Sequence, residues 1–200
     1  MAFEIYNGQG EANSLIDKMI SMWDFDSSDT ASSNHSATYG NAVLAKDTNY
    51  LYLKTKGGTT AISVFMNSSI QWKIIKAKNS IMACVDYNGK TFTVVLGVLS
   101  SSEGASGKGA FGHTDSSTDI VSIMGENKLQ GTINQTPFKS NAQAQLAEMA
   151  APSYGDWHFV NGYRFLISEI TTDALNATQG KRELNGDIYY ISGNAAIKEE

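Results

Sequence analysis

Cysteine, proline and charge are scarce in this 200-residue chain. It has one cysteine, Cys84, and two prolines, and charged residues make up only 18% of it. A lone cysteine excludes an internal disulfide framework, so the fold must rest on an apolar core. No paired Cys/His spacing of the kind that holds structural zinc occurs. Glu, Lys and Leu are too sparse for coiled-coil heptads. The longest dense apolar run, Val94 to Leu99, is far shorter than a bilayer span, so no membrane insertion is expected. Met1 to Gly10 has no basic stretch ahead of an apolar one and does not read as a secretory signal, which points to synthesis in a cytosol. Lys and Arg number 15 against 20 acids, for a net charge of −5. A net-negative domain gains little from counterion release, so nucleic acid is not an expected partner.

What is present is apolar and small-polar. Hydrophobic residues reach 42%, aromatics 10%, and there are 18 glycines among many Ser, Thr and Asn. Aromatic and β-branched residues run along the whole chain, which argues against long disorder. Such a composition points to a β-rich structural or adhesive protein.

The hydrophobic period changes along the chain. Leu15, Ile16, Met19, Ile20 and Trp23 recur at helical spacing, so a short amphipathic helix is expected over Asn13–Trp23, with Ser14 and Asp17 as a capping pair. Asp24–Asn34, DFDSSDTASSN, reads as a polar loop. From Tyr39 the period becomes two. Leu51 and Leu53 alternate with Tyr50 and Tyr52, and Ile62, Val64 and Met66 share a face. Ile70, Trp72 and Ile74 also alternate, but Ile75 and Ala77 continue on the opposite parity, which predicts a bulge near Ile74-Ile75.

Asn88-Gly89 is the preferred pair for a two-residue type I′ hairpin turn. Pairing outward sets Tyr87 opposite Lys90, Val85 opposite Phe92, Ala83 opposite Val94 and Ile81 opposite Leu96, with all but Lys90 apolar. Ser100–Ser117 reads as a long Gly/Ser loop, Ile120–Met124 as a strand, and Ser140–Ala150 as a second short helix ended by Pro152. Asn161-Gly162 predicts another hairpin, and Asp187–Ser192 a last strand. The fold class expected is mainly β: an antiparallel β-sandwich-like domain with a short N-terminal helix and one short internal helix. Residues 1–34 form an N-terminal segment of helix and polar loop, and residues 35–200 the β-rich domain.

Few residues point to chemistry. Gly107-Lys108-Gly109-Ala110-Phe111-Gly112 matches G-x-G-x-x-G literally, yet a Gly/Ser stretch precedes it and no helical pattern follows. Asp24, Asp26 and Asp29 are oxygen donors in a short loop, but the EF-hand order needs Gly at the sixth position, where Asp29 stands. His35, His113 and His158 lie far apart, and none sits in a local catalytic signature. No enzymatic activity, cofactor or metal is therefore expected. Tyr50, Tyr52, Trp72 and Tyr190 are candidates to stack on sugar rings, provided that they share an exposed face.

Two segments resemble a known family. They are Phe3-Glu4-Ile5-Tyr6-Asn7-Gly8, followed by Asn13-Ser14-Leu15-Ile16-Asp17-Lys18-Met19, and the aromatic run Trp157-His158-Phe159-Val160-Asn161-Gly162-Tyr163-Arg164-Phe165-Leu166-Ile167. Both are similar to segments of small structural proteins of tailed-bacteriophage virions, found in the tail, baseplate or fibre apparatus. The resemblance covers about a fifth of the chain. The chain departs from the family at Tyr163, where a second Arg is frequent, and over Leu175–Asn185, which is polar and lacks proline. The resemblance implies a virion location, after synthesis in the host cytoplasm. It also implies action through assembly contacts with other virion proteins and with further copies of this chain. On that reading Leu15, Ile16, Met19, Ile20, Trp23, Trp157 and Phe159 are candidate assembly contacts. The alternative is a β-sandwich that binds host surface glycans through Tyr50, Tyr52, Trp72 and Tyr190, or, as a weaker reading, a polysaccharide hydrolase.

Overall fold

The computed structural model describes residues 2–57, 60–66, 69–78, 80–87, 90–100, 107–114, 120–125, 129–133, 159–160, 180–184, 187–192 and 195–199. Among them the chain is mainly β, with one helix, as the hydrophobic periods predict. The internal helix expected over Ser140–Ala150 and the Asn161-Gly162 turn lie outside the described residues.

The chain opens with strand β1 (Glu4–Gly10) and helix α1 (Ala12–Met22). Five short strands follow: β2 (Ser27–Asp29), β3 (Ser36–Tyr39), β4 (Ala42–Lys46), β5 (Tyr50–Thr55) and β6 (Thr60–Phe65). They pair in chain order as an antiparallel five-stranded sheet. Next come β7 (Ile70–Lys76), β8 (Ser80–Tyr87), β9 (Lys90–Ser100), β10 (Gly107–Thr114), β11 (Ile120–Gly125), β12 (Leu129–Ile133) and β13 (Phe159–Val160). With β1 they make an eight-stranded sheet in the order β1-β7-β8-β9-β10-β11-β12, with β13 also paired to β9. Strands β14 (Gly180–Leu184), β15 (Asp187–Ser192) and β16 (Ala195–Lys198) form a three-stranded sheet.

The eight-stranded sheet is the middle layer. One face carries Ile70, Ile74, Ile81, Ala83, Val85, Phe92, Val94, Leu96 and Ala110. It packs on α1, through Leu15, Ile16 and Met19, and on the inner face of the five-stranded sheet, through Leu44, Leu51 and Leu53. The other face buries Ile75, Met82, Cys84, Thr93 and Val95. Strand β16 lies against β8 and β9 on this side, and its Ile197 is itself buried.

This double coverage corrects one expectation. There is no bulge at Ile74-Ile75: β7 keeps continuous register with both β1 and β8. The parity slip in the sequence arises because adjacent residues of one straight strand face two different apolar layers, as in any strand covered on both sides. The register read outward from Asn88-Gly89 holds, with Val85↔Phe92, Ala83↔Val94 and Ile81↔Leu96, while the turn residues themselves lie outside the described residues.

Three segments differ from expectation. Ser100–Ser117 is not a continuous loop, because Gly107–Thr114 forms strand β10 between β9 and β11. Its small residues suit a crowded layer: Ala110 is fully buried. Within Asp24–Asn34, Ser27–Asp29 pairs with Ser36–Thr38 at the sheet rim. The first 34 residues are woven into both sheets, since β1 pairs with β7 and α1 lies in the core. The helix begins one residue earlier than expected, with Glu11 as its N-cap. Ser14 sits inside the first turn and donates its hydroxyl to the Glu11 carbonyl at 2.6 Å. Gly10, at φ +142, makes the strand-to-helix junction in a region that side chains disfavour.

Candidate functional site

The exposed outer face of the five-stranded sheet gathers the aromatic residues that alternation turns outward. Tyr50 and Phe65 are cross-strand partners. They are 41% and 45% exposed, and their rings meet edge to face at 5.3 Å. Tyr52 follows on the same face of β5, half-buried, with the Lys54 ammonium 5.3 Å from its ring centre. Ala45 and Ser63 flank Tyr52 on the neighbouring strands. The turn before β5 is fixed by Asp47, whose Oδ1 accepts the Asn49 and Tyr50 amides at 2.8 Å each. Tyr50 is therefore presented on a rigid edge of the hairpin. Edge-to-face aromatic pairs are an energetically favoured arrangement, here turned to solvent.

A second cluster ties the two large layers together. Asp26 accepts the Gly40 amide at 2.7 Å and the Lys108 ammonium. Lys108 also lies 5.2 Å from the Tyr39 ring centre. Gly40, at φ +59, lies so close to β10 that a Cβ there would stand 2.6 Å from the Lys108 carbonyl oxygen. The hydrogen bond from Lys108 holds the Asp26 carboxyl below its ordinary pKa, helped by the Gly40 amide. The same bond raises Lys108. Tyr39 is pushed up by burial. Lysine thus supplies the cation that the acidic loop attracts, and no group of three or more metal-ligating side chains is found among the described residues. Lys108 belongs to the literal G-x-G-x-x-G run, which lies along a sheet strand and not at a strand-to-helix turn.

The remaining sequence candidates separate. Leu15, Ile16 and Met19 are fully buried in the chain's own core, so they do not face a neighbour as expected. The long polar stretch after α1 gives no sign in the sequence of how closely the helix returns to its own sheets. Ile20 and Trp23 are partly buried against the same core, with Trp23 and Phe25 each 6.2 Å from Tyr39. Trp157 lies outside the described residues, and Phe159 lies in β13.

The four proposed sugar-stacking aromatics share no single face. Tyr50 and Tyr52 do lie together. Trp72 is on the eight-stranded sheet, folded across Gly8. Tyr190 is only 3% exposed, edge-on to Phe3 at 6.1 Å. Tyr190 of β15 is turned inward. Phe65, which reasoning from the sequence missed, was legible: with Val64 and Met66 on the inward parity, residue 65 must face out.

His35 Nδ1 meets Asp17 Oδ1 at 2.6 Å, which ties the loop before β3 to α1. Asn13 extends this latch, accepting the His35 amide and donating to the Ser33 carbonyl. His113 lies on β10, and His158 is outside the described residues.

On the opposite face of the eight-stranded sheet, Asn7, Gln9, Gln71, Lys73, Cys84 and Asp86 line an open groove of about 540 Å³. They form two cross-strand rows, Asn7–Lys73–Cys84 and Gln9–Gln71–Asp86. Lys73 lies 5.8 Å from the Tyr190 ring centre, so the C-terminal sheet borders the groove at that end. Comparison of the chain with family models, with curated proteins and with solved structures returned no match.

Proposed function

We propose that this chain is a structural component of a tailed-phage virion, in the tail, baseplate or fibre apparatus, acting through protein–protein contacts. The observation that carries the contact role is the Tyr50–Phe65 pair, held outward on a rigid sheet with Tyr52 beside it. Aromatic side chains presented on a fixed scaffold are the kind of residue that dominates interface energies. They also cost little conformational entropy to dock, because two torsions define each ring. The phage assignment is supported by the resemblance of the N-terminal and aromatic segments, and by a low-charge, hydroxyl-rich composition.

The contact surface in this reading is the outer face of the five-stranded sheet and not the helix. Its partners are other virion proteins or further copies of the chain. Deleting residues 1–23 does not test the reading, because it removes core residues and a sheet strand. The decisive experiment is incorporation of a Tyr50→Ala/Phe65→Ala double variant into particles, followed by sedimentation and immunodetection. The expected result is a variant that melts like the parent but stays in the soluble fraction. Normal incorporation of the double variant overturns the proposal.

A further inference from the structure

We infer that the groove over β1, β7 and β8 is a binding site for a neutral saccharide, distinct from the aromatic contact face. The inference goes beyond the assembly role and does not depend on it.

The groove's chemistry is unusual for this chain. Three carboxamides, Asn7, Gln9 and Gln71, converge with one carboxylate, Asp86, and one ammonium, Lys73. The two formal charges cancel, which favours an uncharged ligand over an anion or a cation. Each carboxamide offers donors and an acceptor, and this matches hydroxyl groups, which also do both. The groups are spaced by the sheet itself, about 4.8 Å between strands and about 7 Å along each strand. That grid is comparable to the separation of hydroxyls around a sugar ring and between adjoining rings. Cys84 is buried beneath the polar groups and closes the floor of the groove.

The site is also built on fixed supports. Its three strands are in continuous register across both pairings. On the core side of the same strands the Trp72 ring covers Gly8, so β1 is braced against β7 from beneath the patch. Lys73 is placed beside Tyr190, which steadies one end of the array. Asn7, Gln9, Gln71 and Asp86 are all exposed and accessible to a ligand. Preorganised polar groups on sheet strands lose little freedom on binding.

The experiment is saturation-transfer NMR of the full chain with tetrasaccharides of glucose, galactose and N-acetylglucosamine, and a galacturonate tetrasaccharide as the anionic comparator. Gln71→Ala and Asp86→Asn are surface changes that should leave the melting temperature unchanged. The inference expects transfer to at least one neutral sugar and affinity weaker by up to about tenfold in each variant, the loss of one hydrogen bond. Tyr50→Ala/Phe65→Ala should bind the sugar as the parent does, so failure of the assembly role and failure of this site are read separately. No transfer to any neutral sugar, transfer only to the anionic comparator, or unchanged affinity in both groove variants overturns the inference.

Discussion

Asp26 and Lys108 stand 82 positions apart in sequence and form an ion pair that joins the edge of the five-stranded sheet to β10. The pair shows how the two layers are fastened once the core is filled. It also makes the fastening sensitive to acid.

Both Asp26 and Glu199 have carboxyl groups held below their ordinary pKa. For Glu199 the main cause is the Lys181 ammonium, followed by the Phe3 amide. A depressed folded-state pKa contributes stability above the unfolded value, and that contribution is lost as pH falls through the folded value. Urea unfolding should therefore give a flat stability from neutrality down to about pH 5 and a decline below about pH 4. Asp26→Asn should shallow that decline. Both partners of this pair are more than a third exposed, so its loss at pH 7 should cost about 1 kcal/mol or less.

Gly40→Ala should destabilise the fold by more than that ion pair does. The residue adopts a left-handed conformation, worth about 1–2 kcal/mol against alanine. The new methyl would also press on the backbone carbonyl of Lys108, which cannot swing aside. Equilibrium denaturation should show the loss, and Lys108→Ala should not rescue it.

Leu15→Ala should cost about 2–5 kcal/mol, the range for emptying a filled core site. An equal truncation at Ile20, only partly buried, should cost less. Paired melting curves of the two variants check this, and equal losses would contradict the packing of α1 described above.

Asp47→Ala should release the turn that presents Tyr50. Two amide hydrogen bonds disappear together, at about 1 kcal/mol each. Amide exchange at Asn49 and Tyr50 should quicken while exchange in β8 stays slow.

Cys84 should resist a thiol reagent in the native protein and react on unfolding, since it is 1% exposed beneath the groove. The native reaction rate should track the global unfolding equilibrium as urea is raised.

Much of this fold is legible where one local rule acts alone. The Asn88-Gly89 turn and the apolar face of β8 and β9 specify the same register, and the observed pairing follows both. Legibility fails where a distant layer decides. Gly107–Thr114 is poor in strand-forming residues and reads as loop, yet β9 and β11 on either side satisfy its backbone. Ile75 looks out of phase until β16, more than a hundred residues on, is seen to lie against the same face of the sheet. At the candidate sites, Tyr50 and Tyr52 were visible from alternation. The groove was not, because Asn7, Gln71 and Asp86 are unremarkable polar residues until three strands bring them together.

Strands β1 and β7 are neighbours in one sheet, yet α1 and the whole five-stranded sheet lie between them in the chain. The intervening strands pair sequentially, through short connections that close quickly. The β1–β7 ladder has to close the long loop around them, and it carries that loop's entropy cost. In kinetic terms, the meander can form early and the ladder must wait for it. Substitutions that weaken β1 against β7 should then speed unfolding more than they slow folding.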